Sequence, residues 1–102
     1  MKETVMLITF KLKKGVSVSE FLLASEKLNN EYMSKQKGYV SWKQLNCDDT
    51  WIDFLTFKTF EDAKAVENNP NPDASALEFY SFINCNSCVV QYFTVEKNYE
   101  IF

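Results

Sequence analysis

Apolar and polar positions alternate with period two in four stretches of the chain and recur at helical spacing between them. From Val5 to Leu12, Met6, Ile8, Phe10 and Leu12 share one face while Val5, Leu7, Thr9 and Lys11 share the other, which predicts a first strand ended by Lys13, Lys14 and Gly15. Ser17 and Glu20 form a capping box. Val18, Phe21, Leu22, Leu28 and Tyr32 then make an apolar helical stripe, and Gly38 is the residue expected to stop that helix. Tyr39 to Leu45 predicts the second strand. If Cys47 and Thr50 flank a two-residue Asp48-Asp49 turn, Gln44 lies opposite Asp53 and Trp42 opposite Leu55.

The stretch from Thr50 to Ala63 reads as a strand running straight into a helix. Trp51, Asp53, Leu55 and Phe57 alternate with Ile52, Phe54, Thr56 and Lys58, so both faces are largely apolar, as expected of a central strand. Thr59 and Asp62 signal the start of a helix through Ala63, Ala65 and Val66, broken by Asn68, Asn69, Pro70, Asn71 and Pro72. Asp73 caps a further helix, expected over Ala74 to Ile83. Val89 to Val95 predicts the last strand, ahead of a charged, aromatic tail of Tyr99, Glu100, Ile101 and Phe102. This order is the α+β, ferredoxin-like split βαβ pattern: one domain over residues 1–102, with a four-stranded antiparallel sheet covered by helices on one face. The other face is apolar too and must bury against something. A second copy satisfies it, two sheets forming a dimeric α+β barrel with the tail crossing onto the partner.

Composition narrows the chemistry. The chain is 46% hydrophobic with nine Phe, carries a net charge of −3, and contains neither His nor Arg. An acidic chain repels a phosphate backbone, so no nucleic-acid partner is expected. Without imidazole or guanidinium the usual neutral-pH base, the commonest metal ligand, the axial haem ligand and the bidentate anion clamp are all missing, and neither metal nor cofactor is expected. The N-terminus lacks the basic region, long apolar run and cleavage site of a signal peptide, and no stretch is long enough to cross a bilayer. A cytoplasmic protein without a membrane partner is expected, its three Cys being free thiols.

The segments VMLITFKLKKGVSVSEFLLASEKLN, GYVSWKQL, DTWIDFLTFKTFEDAKA and ALEFYSFINCNSCVVQYFTV resemble the dimeric α+β barrel superfamily, most of all small bacterial proteins of the antibiotic-biosynthesis monooxygenase type. The resemblance covers nearly the whole chain and lies in pattern, with no single diagnostic motif. It implies the barrel fold, and a superfamily that includes cofactor-free oxygenases of activated aromatic rings, haem-degrading enzymes, chlorite dismutases, lactone isomerases and proteins with no known activity. Related chains favour acids at Met6, Asp53 and Asn84, an Arg at Trp42 and a His at Tyr92. Only Asp53 matches, so chemistry that relies on that His and Arg is not implied.

Asp53 is the most informative polar residue, since a carboxylate among aromatics must be hydrogen-bonded, paired or facing a wet cavity. It reads either as a general base or as a structural carboxylate bonded to Gln44, an amide or a lysine. Trp42, Trp51, Phe79, Tyr80, Phe82 and Tyr92, with Gln44 and Met6 beside them, read as a slot for a flat aromatic ligand or as ordinary core. Asp53 and Trp42 share a face by the hairpin register, and the resemblance places Tyr92 with them, so the three are expected to converge on one pocket between sheet and helices. Cys85-Asn86-Ser87-Cys88 has redox spacing but is expected to precede a strand, away from the helix N-terminus that activates such thiols. Three functions remain. The first is a cofactor-free monooxygenase, with Asp53 as base, Tyr92 or Tyr80 holding an oxyanion, and Trp42 and Trp51 bounding a small hydroxylated aromatic. The second is a non-catalytic binder of a hydrophobic small molecule, and the third a structural or regulatory dimer without ligand.

Overall fold

The computed structural model describes residues 2–101. The order is β1 (Thr4–Leu12), α1 (Val18–Glu31), a 3₁₀ turn (Met33–Lys35), β2 (Tyr39–Cys47), β3 (Thr50–Phe57), α2 (Phe60–Glu67), α3 (Ala74–Tyr80) and β4 (Ile83–Thr94). The four strands form one antiparallel sheet in the order β2-β3-β1-β4, with β1 and β3 central. This is the α+β, ferredoxin-like arrangement. None of the described helices is long and apolar enough to cross a membrane.

The alternation of β1 and β3 sets the core. Met6, Phe10, Leu55 and Phe57 point at the helices and are buried against Phe21, Leu28, Met33, Ala63 and Phe79. On α1 the buried stripe is Phe21, Ala24, Ser25 and Leu28, whereas Val18 and Leu22, expected to belong to it, are 47% and 43% exposed. Leu22 sits about 100° around the helix from Phe21, on the flank of the stripe. The Ser17 hydroxyl accepts from the Glu20 amide as the capping signal predicts, at 3.2 Å.

Two helix ends differ from expectation. α1 stops at Glu31, because the following 3₁₀ turn tucks Met33 into the core, and the Gln36 amide then donates to the Tyr32 carbonyl at 3.0 Å. Gly38 does adopt a left-handed φ of +78°, but as the entry to β2, with the Asp62 carboxylate packed where a Cβ would lie. α3 ends at Tyr80, three residues early, since Ile83 is buried opposite Leu12 as the first residue of β4. β4 therefore starts at Ile83, not Val89, and Cys85 and Cys88 lie within it. The polar run Asn84–Ser87 hides that start from a search for alternation.

The sheet face turned from the helices carries Leu7, Ile52 and Phe54, all half-buried, and Leu45, Val89 and Phe93, which are exposed. The tail beyond Thr94 is irregular, with Tyr99 and Ile101 exposed; Phe102 lies outside the described residues.

Candidate functional site

The β2–β3 hairpin closes through Cys47 and Thr50, with Asp48 at a φ of 55° that short Asx residues tolerate. That turn aligns Gln44 with Asp53 and Trp42 with Leu55. Asp53 thus faces the helices from a central strand, flanked by Gln44 on β2 and Ile8 on β1. It is 4% exposed, and the indole Nε1 of Trp42 donates to its Oδ1 at 3.0 Å. None of the described ion pairs includes it. Burial disfavours the charge and pushes the Asp53 carboxyl up to about 7, although the hydrogen bonds of Trp42 and Gln44 pull the other way.

Beside Asp53 is a cavity of about 230 Å³ between sheet and helices. Met6, Phe10, Leu28, Leu55 and Phe79 make most of its apolar wall, and Asp53, Trp42, Tyr80, Glu67 and Cys88 bring the polar atoms. Three larger hollows are open surface grooves. One, of about 440 Å³, lies between α1 and β2, another, of about 290 Å³, lies between α1 and α3, and the third, of about 700 Å³, lies around Lys13, Asp49 and Trp51. None contains a buried acid, so the chemistry concentrates in the smaller cavity. Among the described residues no group of three His, Cys, Asp or Glu is placed to hold a metal ion.

Of the residues singled out in the sequence, Asp53, Trp42, Met6, Phe79 and Tyr80 meet at this cavity. Four do not line it. Trp51 shares the face of Asp53 but stands one pair further along, opposite Phe10, with its ring 5.2 Å from Phe21. Phe82 sits after α3, with its ring 6.0 Å from Phe21. Gln44 donates to the Ser25 hydroxyl at 2.9 Å, anchoring β2 to α1. Tyr92 shares the sheet face with Met6, its pairing partner, but its hydroxyl donates to Glu67 and its ring packs edge-on to Phe60 at 5.2 Å. Burial, then the Glu67 carboxylate, hold the Tyr92 phenol well above its usual range, and that hydrogen bond lowers Glu67. Expected convergence of Tyr92 with Asp53 and Trp42 is thus replaced by a Tyr92–Glu67 pair.

Glu67 and Met33 escaped the sequence reading, and Cys88 entered it only for its spacing from Cys85. Glu67 follows Ala63 by one helical turn and was visible in that periodicity. Met33 and Cys88 depend on the 3₁₀ turn and on the irregular start of β4, which leave no periodic signal.

No family model and no curated protein matches the chain. Among solved structures it is similar to SnoaB, a cofactor-independent oxygenase from Streptomyces nogalater, at 13% identity and a TM-score of 0.73 over 96% of this chain and 97% of that one. A candidate antibiotic biosynthesis monooxygenase from Chloroflexus aurantiacus matches at 12% identity and a TM-score of 0.69, covering 98% and 99%. A dimeric protein of unknown function with a ferredoxin-like fold from Bacteroides fragilis matches at 18% identity and 0.61, covering 90% and 95%. The chain has the ferredoxin-like fold and shares it with these three structures.

Proposed function

We propose that the protein is a homodimeric enzyme of the cofactor-independent monooxygenase type, acting on a small hydroxylated aromatic. The observation that carries this reading is Asp53: a buried carboxyl, poised near neutrality, with one oxygen held by an indole N–H at the wall of an apolar cavity. The cavity lies just below the roughly 300–1,000 Å³ of ordinary ligand pockets, which suits a small, flat molecule.

In this reading the Asp53 carboxylate removes a proton from an activated hydroxyl or ring methylene. The resulting anion passes one electron to dioxygen, and the substrate radical and superoxide combine into a C–O bond. Loss of water then breaks the O–O bond and leaves a carbonyl, so one oxygen atom enters the product and one leaves as water. Tyr80, which lines the same cavity, donates its phenol hydrogen to the developing oxyanion in this reading. Burial and the nearby Asp53 charge keep that phenol protonated. Tyr92 is already committed to Glu67.

The dimer follows from the apolar sheet face, where Leu45, Val89 and Phe93 are 44%, 54% and 48% exposed in the single chain. The dimeric Bacteroides fragilis structure supports it.

The second reading, a non-catalytic binder, is favoured by the sparse polar lining of the cavity. The open cavity speaks against the third, a dimer with a filled interior. Oxygen consumption with a panel of quinols and anthrones decides between enzyme and binder. Uptake by the wild type and none by Asp53→Asn supports the enzyme; tight binding without uptake supports the binder.

A further inference from the structure

The Cys85-Cys88 spacing acquires a geometry that the sequence did not supply. On β1 and β4, Thr9 pairs with Val89 and Lys11 with Asn84, so two steps along β1 are matched by five along β4. Two extended residues span roughly 7 Å, which brings Asn84 and Val89 about that close. Cys85, Asn86, Ser87 and Cys88 must therefore fold back on themselves as a long bulge. Ser87 fastens it, accepting from the Lys11 amide at 2.9 Å and donating to the Asn84 carbonyl at 2.6 Å.

In a regular strand, residues three apart lie roughly 10 Å from one another and point to opposite faces. At the two ends of a folded-back segment they approach to within about 7 Å, the separation of a tight turn and the upper end of the disulfide range. Both thiols are free and exposed, and Cys88 also lines the Asp53 cavity.

We propose that Cys85 and Cys88 are a paired-thiol modification site, with Cys88 in the wall of the cavity, oxidised by a peroxide to an internal disulfide and able to bridge a trivalent arsenical. The Cys85 thiolate attacks hydrogen peroxide, giving a sulfenic acid and hydroxide. The Cys88 sulfur then attacks that sulfenic sulfur and its oxygen leaves as water. Two thiols and one peroxide thus become one disulfide and two waters. Burial, then Cys85 and Asp53, raise the Cys88 thiol, so Cys88 is assigned as the resolving sulfur. Oxidation changes the wall that a ligand beside Asp53 touches.

The test uses the reduced full chain with Cys47→Ser, which removes the third thiol. After stoichiometric hydrogen peroxide, both remaining thiols are expected to become untitratable together, and the peptide carrying them to lose two hydrogens in mass. Phenylarsine oxide is expected to bind this protein and to survive dilution, but to be lost from variants that also carry Cys85→Ser or Cys88→Ser. Two thiols that stay titratable, a sulfinic acid in place of the disulfide, or cross-linking only between chains would overturn the proposal. The readout is a thiol count, so it stands or falls separately from turnover.

Discussion

Trp42 reaches Asp53 diagonally. Its own pairing partner is Leu55, and the indole N–H crosses to the carboxylate one pair along, where Gln44 is the direct neighbour. The bond supplies a donor to a buried charge that has no ion-pair partner among the described residues. Trp42→Phe keeps the ring and removes the donor. A hydrogen bond to a charged group is worth about 1.5–3 kcal/mol, so the Asp53 midpoint is expected to rise by about 1 pH unit or more, read by carboxyl NMR titration.

The same burial links stability to pH. The Asp53 carboxyl titrates at about 7 in the folded chain against an ordinary 3.8, so between those values the folded state keeps a proton that the unfolded state has lost. Its contribution is fully present below about pH 4, falls as pH rises, and is gone above about pH 7. That difference amounts to roughly 4 kcal/mol. Asp53→Asn is expected to flatten this part of the profile, gaining most over the wild type at pH 8 and least at pH 4. Urea denaturation across that range checks it; parallel profiles for the two proteins would mean that Asp53 is not held neutral.

Activity carries the opposite slope. A base with a midpoint near 7 is inactive when protonated, so oxygen uptake is expected to rise through neutrality and level off above pH 8. A rate that falls over this range would remove Asp53 from the base role.

Two tyrosines separate by the same assay. Tyr80→Phe removes a phenol from the cavity wall and is expected to lower turnover by about 10- to 100-fold, the scale of a lost transition-state hydrogen bond. Tyr92→Phe removes a phenol that does not itself line the cavity and frees Glu67, with turnover within about twofold of wild type and a small loss of stability of about 1 kcal/mol. Equal losses from both variants would contradict the assignment.

The exposed sheet face gives a prediction about assembly. Light scattering at micromolar concentration is expected to report a dimer. Phe93→Glu is expected to weaken it about 30-fold, the equivalent of roughly 2 kcal/mol for a charge placed on this apolar face. A monomer in the wild type would show that the apolar face is covered in some other way.

Strand parity carried much of the fold and part of the cavity. It put Trp42 on the same face as Asp53, because side-chain direction follows from a period of two, while Tyr92 was placed with them by the family resemblance. Parity does not say how far along a strand a residue stands. Trp51 and Tyr92 therefore have the expected face and the wrong neighbourhood, one against Phe21 and the other on Glu67. The long bulge in β4 was invisible for a different reason: its stabilising groups, the Lys11 amide and the Ser87 hydroxyl, are 76 residues apart in the chain. Local pattern has no access to such a contact.

The two-residue turn at Asp48 and Asp49 has a reach well beyond its own atoms. It fixes the count that aligns Trp42 with Leu55, and every second residue of β2 inherits its direction from that count. Inserting a single codon there, without altering any side chain in the cavity, would force β2 either to bulge or to turn Trp42 outward and leave the Asp53 carboxyl without its donor. For this gene, an in-frame length change in an exposed hairpin tip is accordingly a graver lesion than most substitutions in the cavity wall, and natural variants of the fold are expected to keep that tip at constant length.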